Sequence, residues 1–384
     1  MSRHRLPLIV ALVCSPALFA VPAMGVTDKI PASVKTSNSP SHAAVQGFID
    51  KETANLASDD PTTQKLARDQ IIQDVEAHAG SSATPQFQTE FANDLGKALE
   101  PLLKSPSLRT RINAAVVATE VATKVLHTEG ASASGLAPAV KAMLGDSQPA
   151  VVLWGVKAAE YVMASDILYG GNPAPIAKQL VKSVEAHGDS WPIIEEAFAT
   201  LTFKQIKQKG DPQTGPQFVA GTANIIPDLL DLIAWRGKEY NNNAGGNTPT
   251  PLADLPATVF LSVTAFDVIH NNPALQARVL KVMGEATCLR LRALANGNST
   301  PGLLDMARAD GNAFETLGKQ LTNADALQNA GKNIAQMSQN ADLTRIGKLC
   351  DDLAAALKGV GVDIAAENTA GAEGAPPAAV VAGK

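Results

Sequence analysis

The chain has 384 residues, a formal net charge of −5 and 45% hydrophobic residues, enough apolar material for a large core. Aromatics make up only 4%, so alanine and small aliphatics carry that content, as in closely packed helices rather than sheets. A mildly acidic chain with no Lys/Arg cluster argues against nucleic acid or an anionic membrane surface as partner.

The first 25 residues read as a secretory signal. Arg3, His4 and Arg5 form a basic start, Leu6 to Ala20 is an apolar stretch interrupted by Pro7 and Pro16, and Ala23-Met24-Gly25 offers small residues for cleavage. An uncleaved anchor would want about 20 unbroken apolar residues. Cys14 follows Val13 rather than Gly or Ala, which disfavours a lipoprotein site. Cleavage removes two arginines and no acid. The expected mature protein is secreted or periplasmic, with no stable membrane insertion, and it keeps only Cys288 and Cys350. In an oxidising compartment that pair can form a disulfide; the competing reading is two buried thiols packing as small apolar side chains.

Residues 26–41 read as a flexible lead-in. From Ser41 an amphipathic pattern begins, with Ala44, Val45, Phe48, Ile49 and Leu56 on one face. The turn Asp59-Asp60-Pro61 follows, Asp60 as N-cap and Pro61 at the first helical position. Ala67, Ile71, Ile72 and Val75 line the next helix. A second hairpin carries Phe91, Leu95, Leu99, Leu102 and Leu103, turns at Ser105-Pro106-Ser107, and continues through Ile112, Ala115, Val116, Ala122 and Leu126. A third runs from Leu136 through Met143 and Leu144, turns at Asp146, and continues through Val152, Val156, Ala159 and Met163. A fourth has Ile176, Leu180 and Val184, a turn at Asp189, then Ile194, Ala197, Phe198 and Leu201. The turn anchors Asp60, Ser105, Asp146 and Asp189 step by 45, 41 and 43 residues. A period of about 40–47 residues marks helical-hairpin solenoids.

Beyond Lys209 the pattern loosens. Phe218 to Trp235 reads as a helix with Pro227 inside it, and 241–251 (NNNAGGNTPTP) reads as a linker or exposed loop. Residues 257–270 and 273–295 read as two helices separated by Asn271, Asn272 and Pro273. Short helical periods continue from Pro301 to Leu357, punctuated by Gly311, Gly318, Gly331 and Gly347. The tail after Ile364 has the composition of a disordered segment. The expected organisation is a signal over 1–25, lead-in 26–41, all-α solenoid 42–240, loop or linker 241–256, C-terminal helical region 257–364 and tail 365–384.

The stretches Leu102–Ala115 and Met143–Val156 resemble HEAT repeats. Units of that family have a proline in the first helix, an Asp in the turn, and a Val-Arg pair before small residues in the second. Pro138, Asp146 and Val151 match in one unit, and Pro101, Arg111, Ala114 and Ala115 in the other. Arg111 has Val152 as its counterpart and Asp146 has Ser105, so no single unit holds both members of the Asp–Arg pair that forms a ladder in many HEAT proteins. The resemblance spans about residues 42–205. It implies a degenerate α-solenoid with a long surface lined by second helices, and says little of function.

Chemistry-bearing motifs are few. His78, His127 and His187 each sit near a glycine that ends a helix, a position where imidazole meets the helix dipole and its last carbonyls. No His-Glu dipeptide and no Cys-x-x-Cys occur, which counts against di-iron, zinc-protease and thiol-zinc sites. Gly130-Ala-Ser-Ala-Ser-Gly135 is one residue too long for a nucleophile elbow and has no strand before it. Gly311 to Lys319 ends in Gly-Lys but lacks the spacing and hydroxyl of a phosphate loop. No residue is singled out as catalytic, metal-binding or cofactor-binding. Trp154 is read as packing and Tyr161, beside Glu160, as exposed. Asn298-Ser299-Thr300 fits a glycosylation sequon.

The leading expectation is a non-enzymatic scaffold that binds a protein or peptide through Arg109, Arg111, Glu120, Lys124, Lys157, Glu160 and Tyr161, whose mixed charges suit a polypeptide better than a polyanion. Two alternatives stand beside it. One is an enzyme with acid–base groups among Asp228, Asp231, Asp267 and His270; the other is self-association through the Ala/Gln/Asn-rich helices of 301–357.

Overall fold

The computed structural model describes residues 29–75, 83–208, 215–242, 251–298, 300–321, 324–338 and 343–364. The expected signal, His78 and the C-terminal tail lie outside them. The described residues form 18 α-helices with short 3-10 turns and no strand. One contiguous hydrophobic cluster runs from Ile30 to Ile364.

After a short helix α1 (Ala32–Lys35) come four helix pairs: α2 (His42–Leu56) with α3 (Pro61–Val75), α4 (Pro85–Leu103) with α5 (Leu108–Leu126), α6 (Ala137–Leu144) with α7 (Pro149–Tyr169), and α8 (Ala174–Ala186) with α9 (Trp191–Leu201). These are the helices that the apolar stripes predict. First helices pack on first helices (α2 on α4, α4 on α6, α6 on α8) and second helices on second (α3 on α5, α5 on α7, α7 on α9). Each apolar stripe is therefore covered by its own partner and by the next pair.

The turns use side chains to satisfy the free amides that every helix start leaves. Asp60 accepts from the backbone amides of Thr62 and Thr63 at 3.3 and 2.9 Å, and Ser107 from that of Thr110 at 3.3 Å. Asp146 accepts from the Gln148 amide at 2.8 Å. Buried polar side chains also tie each second helix to the next. Gln64 donates to Thr110 at 3.1 Å, Thr119 to the Trp154 carbonyl at 3.1 Å, and Thr200 to the Val156 carbonyl at 3.1 Å. Each such bond contributes about 1 kcal/mol net.

The expected flexible lead-in differs from what is found for residues 29–41. Lys35 is buried and pairs with the fully buried Asp74 at 3.0 Å, while the Ile30 amide donates to the other oxygen of Asp74 at 2.9 Å. A buried carboxylate needs donors, and this segment supplies them.

The second half is less regular. It comprises α10 (Lys204–Gln208), α11 (Pro216–Gly221), α12 (Ile226–Asn242), α13 (Leu255–Val259), α14 (Phe266–His270), α15 (Pro273–Ala295), α16 (Leu303–Gln320), α17 (Asp325–Ala335) and α18 (Leu343–Gly359). Pro227 does not sit inside a helix over 218–235. The chain breaks at Thr222–Asn224 and Pro227 lies in the first turn of α12, where its missing N–H costs nothing. The expected helix over 257–270 is likewise split, by a π-turn at Phe260–Thr264. Asn272 caps α15, accepting from the Leu275 amide at 3.1 Å, as the Asn-Asn-Pro break requires. At the end of the loop region, Pro251–Asp254 forms a 3-10 turn whose Asp254 is buried.

Gly311, Gly318 and Gly331 are contact points rather than breaks. A Cβ on Gly311 would lie 2.4 Å from the Ala335 amide nitrogen, and one on Gly331 2.4 Å from that of Glu315. Glycine here lets α16 and α17 approach backbone to backbone. A disulfide joins Cys288 of α15 to Cys350 of α18.

Candidate functional site

Two helix faces meet in a cleft of about 450 Å³ between α8 and α12. Lys178, Lys182 and Glu185 recur at helical spacing along α8, and Asp228, Asp231, Trp235 and Lys238 do the same along α12, with Val181 and Ala234 at the base. Three cations and three anions thus line one cleft, with both signs on each wall. Trp235 is half-buried, and a Cβ on Gly188 would lie 3.0 Å from its indole, so glycine after α8 admits the ring.

Asp228 is the perturbed group. Burial, reinforced by the like charge of Asp231, pushes its carboxyl up to about 6, with Lys178 and Arg278 acting against the shift. Asp231 is exposed and accepts from Arg278 of α15 at 2.7 Å. Asp267 and His270, the other two members of the expected acid–base group, do not line this cleft. Both are exposed on α14, where the His270 ring stacks on Phe266.

The seven residues expected to form a binding surface are not presented together. Arg109 is exposed, whereas Glu120, Lys124 and Lys157 are half-buried, with the Lys157 ammonium 5.2 Å from the centre of the Trp154 ring. Arg111 is committed elsewhere. It pairs with Asp146 at 2.8 Å and donates to the Ser105 carbonyl at 2.8 Å, tying the turn of the α4/α5 pair to that of α6/α7.

Glu160 and Tyr161 are buried, which corrects the expectation that they face solvent. α7 packs against α5, α6, α8 and α9, which leaves little of its surface to solvent. Glu160 accepts the backbone amides of Gln205 and Ile206 at 2.8 and 3.0 Å, capping α10 just after Phe203, which takes a left-handed conformation at φ 53°. Burial and the adjacent Glu160 raise the Tyr161 hydroxyl above its usual range.

A second polar assembly is fully enclosed among α12, α15, α16 and the 3-10 turn before α13. Arg290 pairs with Asp310 at 2.6 Å and with Asp254 at 2.7 Å, and Arg236 reaches Asp254 at 3.4 Å. Tyr240 donates to Asp254 at 3.2 Å, and Thr258 to Asp310 at 3.1 Å. Both guanidinium groups lie about 5 Å from the Tyr240 ring centre, at 5.1 and 5.4 Å. Burial works against the Arg290 cation, but Asp310 and Asp254 outweigh it and raise its pKa. Burial also pushes the Asp310 carboxyl up. Two cations and two anions with no opening to solvent form a cross-brace rather than a binding site.

Of the remaining motif residues, His187 sits at the C-cap of α8, but its Nε2 lies 3.2 Å from the carbonyl of Asp146 in the α6–α7 turn rather than from the last carbonyls of its own helix. Asn298 is buried and accepts from the Thr300 amide at 3.0 Å. Sequence reasoning missed Lys178, Lys182, Glu185 and Lys238, and weighed Trp235 only as one of several large amphipathic side chains. Their signal was the shared spacing of three and four residues, but nothing in the sequence says that α8 and α12 face each other. Among the described residues no single helix is long and apolar enough to cross a membrane. No protein-family model matches the chain, and no curated protein is similar to it in sequence.

Proposed function

We propose that this chain is an exported interaction scaffold that holds a segment of a protein partner in the cleft between α8 and α12. The observation that carries the reading is the cleft's mixed lining: Lys178, Lys182 and Glu185 on the α8 wall, and Asp228, Asp231 and Lys238 with the indole of Trp235 on the α12 wall. A polypeptide strand carrying both signs of charge and one apolar side chain suits such walls, and tryptophan is a frequent anchor of binding energy. The helix order supports a degenerate HEAT-like solenoid over 42–205. Like helices stack on like, and the half-matched units complement each other, Arg111 of one meeting Asp146 of the next. The Cys288–Cys350 disulfide fits a secreted or periplasmic location, where thiols oxidise.

The test is site-specific crosslinking of the full chain in the fluid or envelope from which it comes, with a photoreactive residue replacing Glu185. Reversing Lys182 and Lys238 to Glu should abolish the crosslinked partner band, while Arg109→Glu leaves it intact. A band indifferent to both reversals overturns the assignment of the cleft.

A further inference from the structure

We propose that His42, Glu90 and Asp94 form a binding site for a divalent transition-metal cation of the zinc class, with one imidazole nitrogen and two carboxylate oxygens as ligands. The site lies on different helices from the α8–α12 cleft and does not depend on that reading. His42 is the first residue of α2, while Glu90 and Asp94 stand one turn apart on α4, so their carboxylates share a face. The three donor atoms lie within 4.8 Å of one another. His42 Nδ1 is 3.1 Å from Glu90 Oε1 and 3.0 Å from Asp94 Oδ2. Ligand bonds of about 2.0–2.2 Å put neighbouring donors about 3.0–3.5 Å apart, so a cation needs little rearrangement here.

The observation that points to a ligand is Asp94. Its side chain is 3% exposed, yet Oδ2, the oxygen aimed at His42, accepts no hydrogen bond. Nδ1 can carry at most one hydrogen, and in the tautomer that has it there the hydrogen is aligned with Glu90. Lys97 approaches only the other oxygen, Oδ1, at 3.6 Å from an exposed position. A buried carboxylate oxygen without a donor is costly, and a shared cation satisfies it, Glu90 and the imidazole together.

The donor set selects the class of ion. One imidazole with two carboxylates suits zinc and its first-row neighbours; no thiolate is present for Cu(I), and three donors fall well short of the oxygen shell that calcium takes. His42 is 67% exposed on its side chain, which leaves an open coordination position for water. Because the ligands come from α2 and α4, the ion would bridge the first helix pair to the second.

The full chain, stripped with EDTA and titrated with Zn²⁺ at about pH 7.5, should bind one equivalent by calorimetry. His42→Ala and Asp94→Asn should each weaken binding by about 100-fold and remove the rise in melting temperature that Zn²⁺ gives the parent chain. Co²⁺ should give visible absorption bands that both variants lose. His187→Ala and His270→Ala should bind as the parent does. His42 is exposed, so its variant keeps the test decisive even if Asp94→Asn folds poorly. Failure of the folded parent chain to bind Zn²⁺, or equal affinity in His42→Ala, overturns the proposal.

Discussion

The α2–α9 half and the α12–α18 half are both all-helical, but they hold themselves together by different means. In the first, each helix packs on its counterpart in the next pair, and buried hydrogen bonds from Gln64, Thr119 and Thr200 tie second helices to one another. In the second, the helices do not fall into successive pairs stacked like on like. They are fixed by particular long-range devices: the enclosed Arg236–Asp254–Arg290–Asp310 group, the glycine contacts of α16 and α17, and one disulfide. The difference teaches where specificity comes from. A repeating interface needs only apolar stripes in register, whereas an irregular one needs features that only a single arrangement satisfies.

The contrast can be broken at its strongest point first. Asp310→Ala leaves Arg290 with half its partners in a dry site and should cost about 3–5 kcal/mol in urea unfolding, as removing one partner of a buried pair does. An isolated loss below about 1 kcal/mol would show that water enters the site. Reduction of the Cys288–Cys350 bond comes next, with an expected cost of about 2–4 kcal/mol, read as a lower midpoint in denaturant with reductant present. Gly331→Ala should cost about 1–3 kcal/mol, because its methyl group would strike the α16 backbone, which cannot rotate away. Alanine normally favours a helix, so a stabilised variant would mean that α16 and α17 are further apart than described.

The smallest effect belongs to the cleft. A carboxyl raised to about 6 holds its proton more tightly in the folded chain than in the unfolded one. Its stabilising contribution is therefore complete only in acid, and is lost as pH rises from the ordinary aspartate range through about 6. Asp228→Asn should stabilise the chain by about 1 kcal/mol at neutral pH, discounted for the solvent that reaches the cleft. The gain should shrink as pH falls below 6, which melting curves across that range would reveal.

Local physics explains which parts the sequence makes legible. Helix pairs were readable because amphipathic spacing and cap residues such as Asp60 and Ser107 act within four residues of each other. The break at Asn272 was readable for the same reason. Arg111 and Asp146 carried a signal only as two halves of one motif in different units, and nothing local says that they meet. Tyr161 was misjudged because a charged neighbour marks a solvent face only when the helix has one, and α7 is covered on several sides. The glycines of α16 and α17 looked like interruptions, since close approach to another helix leaves no mark distinct from a turn. The enclosed ion group spans Arg236 to Asp310 and involves four separate elements, so its pairing follows from tertiary packing alone. The cleft and the His42 cluster share this property, each formed by two helices far apart in sequence.

The most direct test of the two-means account is native-state hydrogen exchange on Asp310→Ala with the disulfide reduced. Amides of α12–α18 should lose protection by orders of magnitude, while those of α2–α7 keep values close to the parent chain's. Equal loss across all helices would contradict the account, because it would make the α2–α9 half depend on the same cross-braces as the α12–α18 half.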